Sequence, residues 1–269
     1  MSAAYPFSEH PRHFLVLPAA GAGRRMQSTL PKQYQTLLGK PLLQHTLERV
    51  ATHPVFTRTV LALAPDDPHW PAVAAALSST LLTRLTTVPG GADRAASVRA
   101  ALRALQTHAH EADWVLVHDA VRPCLGASDL ERLLQILHDE PYGGILATPV
   151  RETVKAATAQ GTIAATVARE GLWLAATPQM FRYGVLCRAL DAAHDAGVAV
   201  TDEAAAVEYW LTTQSGISGG IRLVPGAASN LKVTYPEDLH LAALLLSSLS
   251  RAGEGEGEGE RERERESMA

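Results

Sequence analysis

Glycines and cations crowd one short stretch of this chain. In FLVLPAAGAGRRMQSTLPKQY (residues 14–34), Gly21 and Gly23 precede Arg24 and Arg25, and Lys32 follows a proline. The glycines let the backbone turn tightly and approach a ligand closely. Backbone amides with cations around them suit a polyphosphate. A glycine turn carrying solvated arginines is the plainer reading of the same residues.

Four more clusters hold residues able to do chemistry. In PGGADRAAS, Gly90 and Gly91 precede Asp93, Arg94 and Ser97. A Gly-Gly pair admits a base or ribose to the backbone, and a helix start favours anions; Asp93 alone reads as a helix cap. In VLVHDAVRP, Asp119 closes an apolar run, where a carboxylate suits Mg²⁺ on phosphates or simply caps a turn. His118 is given no role. ETVK carries Thr153 and Lys155, expected on one face of a strand. In SNLKVTYPEDL, Lys232 precedes a Thr234-x-x-Glu237 capping box. Thr201, Asp202 and Glu203 read as a helix start favouring the dipole rather than as metal ligands.

These clusters fall at the ends of expected strands. Apolar runs predict strands at 14–17, 57–63, 82–87, 114–118, 144–148, 172–175 and 221–224. Helical spacing connects many of them, clearest at 94–105 and 129–139. That alternation predicts an α/β fold, Rossmann-like, with a mostly parallel sheet and helices on both faces. In such sheets ligands bind beyond the carboxyl ends of the strands. Residues 150–169 break the pattern. They are rich in Thr, Val and Ala around Gln160-Gly161 and read as a hairpin arm too poor in large apolar residues to stand alone.

Composition sets the class. The chain has 269 residues and is 46% apolar, enough for a sizeable core. Its net charge of −4 resides in the segment 253–266, and the remainder balances 21 basic against 21 acidic residues. That leaves no basic field for nucleic acid and no polybasic membrane patch. No apolar run has the roughly 18–20 residues a membrane span needs, and no signal core precedes the first strand. Cys124 and Cys187 lack metal-ligand spacing and read as reduced thiols of a cytoplasmic protein. The expected organisation is a flexible segment 1–12, an α/β domain over 13–250 with its β-arm at about 150–170, and a disordered Glu/Arg tail over 251–269.

The chemistry narrows by exclusion. The first loop lacks the G-x-x-x-x-G-K-[ST] spacing, and Met26 stands where a dinucleotide fingerprint needs its last glycine. Several cations around one loop fit a triphosphate, which leaves phosphoryl or nucleotidyl transfer.

The motifs PAAGAGRRM…PKQY, PGGADRAAS, VHDAVRPC, PVRETVK, TPQMF, TDEAAAVE and NLKVTYPEDL occur in order along residues 14–245. Together they resemble the 2-C-methyl-D-erythritol 4-phosphate cytidylyltransferases. The resemblance implies a single nucleotide-binding α/β domain, a homodimer supported by the arm, and a divalent cation, Mg²⁺. It implies transfer from CTP to methylerythritol 4-phosphate with release of pyrophosphate, in non-mevalonate isoprenoid synthesis. By the same resemblance, Arg25 and Lys32 stabilise the transition state, and Arg169, Lys232 and Thr153 position the acceptor. Pro18, Ala19, Ala20, Gly21, Gly23, Gly91, Arg94, Ser97 and Asp119 hold the nucleotide, and Asp119 also lies near the metal. Ala92 and Ser229 stand where family members often carry acids, and Val121 where they carry a smaller residue. A ribitol 5-phosphate cytidylyltransferase shares most of these motifs. A non-catalytic nucleotide-binding regulator would not need all four cations, and Met26 disfavours a nicotinamide-dependent oxidoreductase.

Overall fold

Phe14, Leu15, Val16 and Leu17 are all buried, and alternate members of the run serve opposite cores. That is the behaviour of a strand covered on both faces. The computed structural model describes residues 11–21, 29–215 and 219–249. The expectations for residues 1–10 and for the Glu/Arg tail therefore lie outside the described residues. Arg12 is tied down: its backbone N–H and its guanidinium both donate to Asp113, at 2.8 and 2.9 Å.

The chain begins with β1 (His13–Pro18), a helical turn over Lys32–Tyr34, and a ribbon of β2 (Thr36–Leu37) and β3 (Lys40–Pro41). Then come α1 (Leu42–Thr46), widened into a π turn over Leu47–Ala51, and β4 (Phe56–Leu63). The next elements are α2 (Trp70–Ala76), α3 (Ser79–Arg84), β5 (Leu85–Pro89), α4 (Arg94–Leu105) and β6 (Trp114–Val117). After α5 (Ala127–Leu137) and β7 (Gly143–Pro149), the chain forms β8 (Val154–Ala157), β9 (Ile163–Val167) and β10 (Trp173–Arg182). It closes with α6 (Tyr183–Asp195), α7 (Glu203–Thr212), β11 (Arg222–Pro225) and a last helix, α8, over 236–249.

Seven strands form one sheet in the order β11-β7-β10-β6-β1-β4-β5. Only β10 runs against its neighbours; the others pair in parallel. One face packs Leu15 and Leu17 under α1, α2, α3 and α5, the last contributing Leu130, Leu133 and Leu137 at helical spacing. The other packs Phe14 and Val16 under α4, α6 and α7, through Val98, Leu102, Leu186 and Val207. A third cluster seats α8 on Val121, Cys124 and Val233, beside the loop that follows β6.

Three elements depart from the sequence reading. Leu82 belongs to α3, because Ser78 caps that helix by accepting from the Leu81 N–H at 3.2 Å. The strand expected at 172–175 continues to Arg182, with a break in register between Ala175 and Gln179. The cap of α8 is shifted by one residue. Asp238, rather than Glu237, reaches back to accept from the backbone of Thr234 and Tyr235, at 2.7 and 2.8 Å. The expected hairpin is present as β8 and β9, with Gly161 in its turn at φ +79°.

Gly143 opens β7 at φ +130°, where a Cβ would stand 2.0 Å from the Met180 carbonyl oxygen. That oxygen belongs to the paired strand β10 and cannot withdraw without breaking the ladder. Gly143→Ala is therefore expected to cost well over about 1 kcal/mol. Thermal unfolding should show Tm lower by several degrees, and an unchanged Tm would contradict this account of the β7–β10 contact.

Candidate active site

From β1 the sheet extends to β4 on one side and to β6 on the other. Such a switch in direction opens a crevice at the carboxyl ends of the strands. A cleft of about 490 Å³ lies there. The loop after β1 lines it with Pro18, Ala19, Ala20 and Gly21, and the segment after β5 with Gly91, Arg94 and Ser97. Lys32, Asp119 and Lys232 complete the set of expected residues at this cleft. Gly23 and Arg25 fall within 22–28, outside the described residues.

The walls are fixed by short bonds. The Ala19 N–H donates to the Ala62 carbonyl and the Gly90 N–H to Leu63, each at 2.7 Å, so both loops leave the sheet in register. Buried Gln33 donates to the Ala19 carbonyl at 2.7 Å and holds the first loop from beneath. Gly90 has no room for a side chain, since a Cβ would meet Ala20 Cβ at 2.5 Å. Ser97 spends its hydroxyl on the loop itself, accepting from the Gly91 N–H at 3.1 Å and donating to the Asp93 carbonyl at 2.9 Å.

Asp119 is the centre of the charge. Lys232 Nζ lies 2.8 Å from Oδ2, Arg122 Nε reaches the same oxygen at 3.3 Å, and Arg94 donates twice to Oδ1 at 3.3 Å. Burial opposes ionisation, but Arg94, Lys232 and Arg122 together hold the carboxyl well below the usual carboxylate range. Arg122 also donates to the Asn230 carbonyl at 2.7 Å, which brings the segment carrying Lys232 to the site.

His118 acts from behind. Its Nδ1 lies 3.0 Å from Thr177 Oγ1 and its Nε2 3.0 Å from the Arg122 carbonyl, while the Asp119 N–H donates to Thr177 Oγ1 at 3.1 Å. One arrangement satisfies all three contacts: Nε2–H donates to Arg122, and Nδ1 accepts from the Thr177 hydroxyl. The ring is wholly buried, and burial lowers its pKa to about 4, so it stays neutral at pH 7.

Two groups escaped the sequence reading. Gln33 carries no pattern beyond its place in PKQY. Glu203, read there as a helix-dipole acid, is 1% exposed and takes a hydrogen bond from Arg94 Nη1. Burial pushes its carboxyl upward against the pull of Arg94, so its charge depends on that arginine. Arg94 is disfavoured as a cation by burial, yet Glu203 and Asp119 more than offset this and raise it. Thr153 and Arg169 are not among the residues lining the cleft. Thr153 precedes β8 on the exposed arm, and Arg169 donates to the Arg151 carbonyl near the arm's base.

A mostly parallel sheet with helices on both faces, glycine-bearing loops and cations at its carboxyl edge fits a nucleotidyltransferase. The chain belongs to the IspD family: residues 13–248 match the family model described as 2-C-methyl-D-erythritol 4-phosphate cytidylyltransferase. A protein of that name from Ectopseudomonas mendocina (strain ymp) is 51% identical over 229 residues, covering 85% of this chain and 93% of that protein. One from Dechloromonas aromatica (strain RCB) is 49% identical, covering 88% and 98%. The crystal structure of the Francisella tularensis 2-C-methyl-D-erythritol 4-phosphate cytidylyltransferase superposes with a TM-score of 0.73 at 32% identity, over 87% of this chain and 99% of that one.

The histidine has a consequence for acid stability. The folded pKa of about 4 lies below the ordinary 6.5, so the unfolded chain binds the proton first. The associated stability is complete above pH 6.5 and is lost as pH falls through 4. His13, whose pKa burial also lowers to about 4, adds to the same slope. Urea unfolding of His118→Gln between pH 7 and 4 should therefore show a shallower pH dependence than wild type.

Proposed function

We propose that this cleft joins CTP to 2-C-methyl-D-erythritol 4-phosphate, giving 4-diphosphocytidyl-2-C-methyl-D-erythritol and pyrophosphate in non-mevalonate isoprenoid synthesis. The observation that carries the reading is the ionised Asp119 ringed by Arg94, Arg122 and Lys232 beneath the loops after β1 and β5, which meet closely at Ala20 and Gly90. The names of its relatives supply the substrates.

In this reading the loops after β1 and β5 hold the nucleotide, with Gly91, Arg94 and Ser97 on the cytidine side. The attacking group is a phosphate oxygen already ionised at neutral pH, so no general base is needed. Attack on the α-phosphorus gathers negative charge on the equatorial oxygens and on the departing pyrophosphate. Arg25 and Lys32 stabilise that charge, and Lys232 orients the acceptor phosphate.

The described residues contain no cluster of three or more His, Cys, Asp or Glu able to cage a metal. Mg²⁺ carried by the nucleotide needs no such cluster, since it binds through phosphates, water and one or two carboxylates. Asp119 is the carboxylate that would face it. The ion would supply charge neutralisation at the phosphates.

We further propose a homodimer in which the arm delivers Thr153 and Arg169 to the neighbouring subunit's cleft. Support comes from the apolar side chains the arm and its base leave uncovered, Ile163 at 69% and Leu174 at 62% exposure. We place the enzyme in the cytoplasm, a reading supported by two free thiols, Cys124 and Cys187.

The direct test is pyrophosphate release from CTP with methylerythritol 4-phosphate, run beside ribitol 5-phosphate and other nucleotides. Release only with ribitol 5-phosphate would overturn the acceptor assignment. Arg25→Ala and Lys32→Ala should each lower kcat by roughly 10²–10³, as removal of one preorganised donor does elsewhere. Near-normal kcat in either folded variant would remove that residue from the role.

The shared site has its own test. Arg25→Ala and Arg169→Ala subunits, mixed and allowed to exchange, should form mixed dimers holding one intact and one doubly damaged site. Activity should recover to roughly a quarter of wild type if the two sites act independently. Activity that stays at the parental level, with exchange verified by mass spectrometry, would place Arg169 at its own chain's cleft or nowhere in the reaction.

A further inference from the structure

We infer that Glu203 is a positioning residue for nucleotide binding, acting through Arg94; the inference rests on the cytidylyltransferase reading above. Arg94 is the first residue of α4 and follows directly on the Gly90–Asp93 turn that lines the cleft. Its guanidinium spans two acids: Nε and Nη2 reach Asp119 Oδ1 at 3.3 Å, and Nη1 donates to Glu203 Oε1. Arg94 is therefore held from two sides, by Glu203 on α7 and by Asp119 in the cleft.

The anchor is itself rigid. Asp202 caps α7 by accepting from the Ala205 N–H at 2.9 Å. Gln179, on the antiparallel strand β10, donates to Asp202 Oδ2 at 2.8 Å and accepts from the Ala204 N–H at 2.9 Å. Glu203 lies between these fixed points, and its second oxygen, Oε2, is buried with no hydrogen-bond partner. A buried carboxylate with an unsatisfied oxygen is a poor device for stability, because its desolvation is only partly repaid. Its position is better explained by what it does to Arg94. Glu203 fixes the guanidinium from the α7 side while Asp119 Oδ1 takes its other edge, so the arginine at the end of the turn after β5 has one orientation and Lys232 keeps Asp119 Oδ2.

Glu203→Gln tests this by keeping the shape and the acceptor oxygen while removing the charge. Titration with CTP should show Kd raised about tenfold, the scale of one charge-assisted hydrogen bond. The KM for CTP should rise with it, kcat should change less than threefold, and Tm should stay within a few degrees. Because Glu203 acts through Arg94, the double variant Glu203→Gln/Arg94→Met should bind CTP no more weakly than Arg94→Met alone. An unchanged Kd in folded Glu203→Gln, or additive losses in the double variant, would overturn the inference. Should Glu203→Gln fail to fold, Glu203→Asp keeps the charge but withdraws it from Arg94, and it must then weaken CTP binding without loss of Tm. Wild-type protein that binds CTP yet releases no pyrophosphate would refute the proposed reaction alone. Wild-type protein that does not bind CTP would overturn both.

Discussion

The site depends on one constraint: Asp119 is buried and ionised, and such a carboxylate is tolerable only among cations. The three that surround it come from separate parts of the chain. Arg94 stands at the start of α4, Arg122 in the turn after β6, and Lys232 in the segment between β11 and α8. Together they compensate a charge buried at the end of a central strand. The same pairings that make the fold acceptable therefore assemble the cleft before any ligand arrives, which is what electrostatic catalysis requires of its groups.

The antiparallel strand supplies what the parallel strands cannot. Lying between β6 and β7, β10 places Thr177 against the Asp119 backbone and His118, and Gln179 against the start of α7. Asn230 donates to the Thr177 carbonyl at 2.7 Å, so the segment bearing Lys232 is secured to that strand as well. The break in register between Ala175 and Gln179 lies where Thr177 leaves the ladder. A neutral, buried His118 then serves the turn rather than the reaction, consistent with a nucleophile that needs no base.

Much of this was legible in the sequence, and the boundary is physical. The apolar run of β1, the helix over Arg94–Leu105 and the arm each announce themselves through local pattern, because burial on two faces, one face or neither leaves a periodic trace. The glycines after β5 were legible for a similar reason, since close approach excludes a side chain. What failed to show was pairing across distance. Leu82 has the same apolar character in a strand or a helix, and the Ser78 cap decides between them. Glu203 at a helix start looks like any dipole acid until its partner is located on α4. Asp238 takes the cap expected of Glu237 because Pro236 opens the helix one residue later than the motif implies.

The charge balance of the cleft bears on the role proposed for Lys232 toward an acceptor phosphate. Arg94, Arg122 and Lys232 face Asp119 and Glu203, a small local excess of positive charge in a chain that is neutral apart from its terminal Glu/Arg segment. Attraction of an anionic substrate must then come from short-range groups rather than a long-range field, and salt should screen it less than it screens an exposed basic patch. Lys232 is the most exposed of the three cations and shares Asp119 Oδ2 with Arg122. If a phosphate draws the ammonium away, Asp119 retains both arginines and stays paired. The lysine is thus held in place by an anion that can release it, and the cost of release is small because the arginines remain.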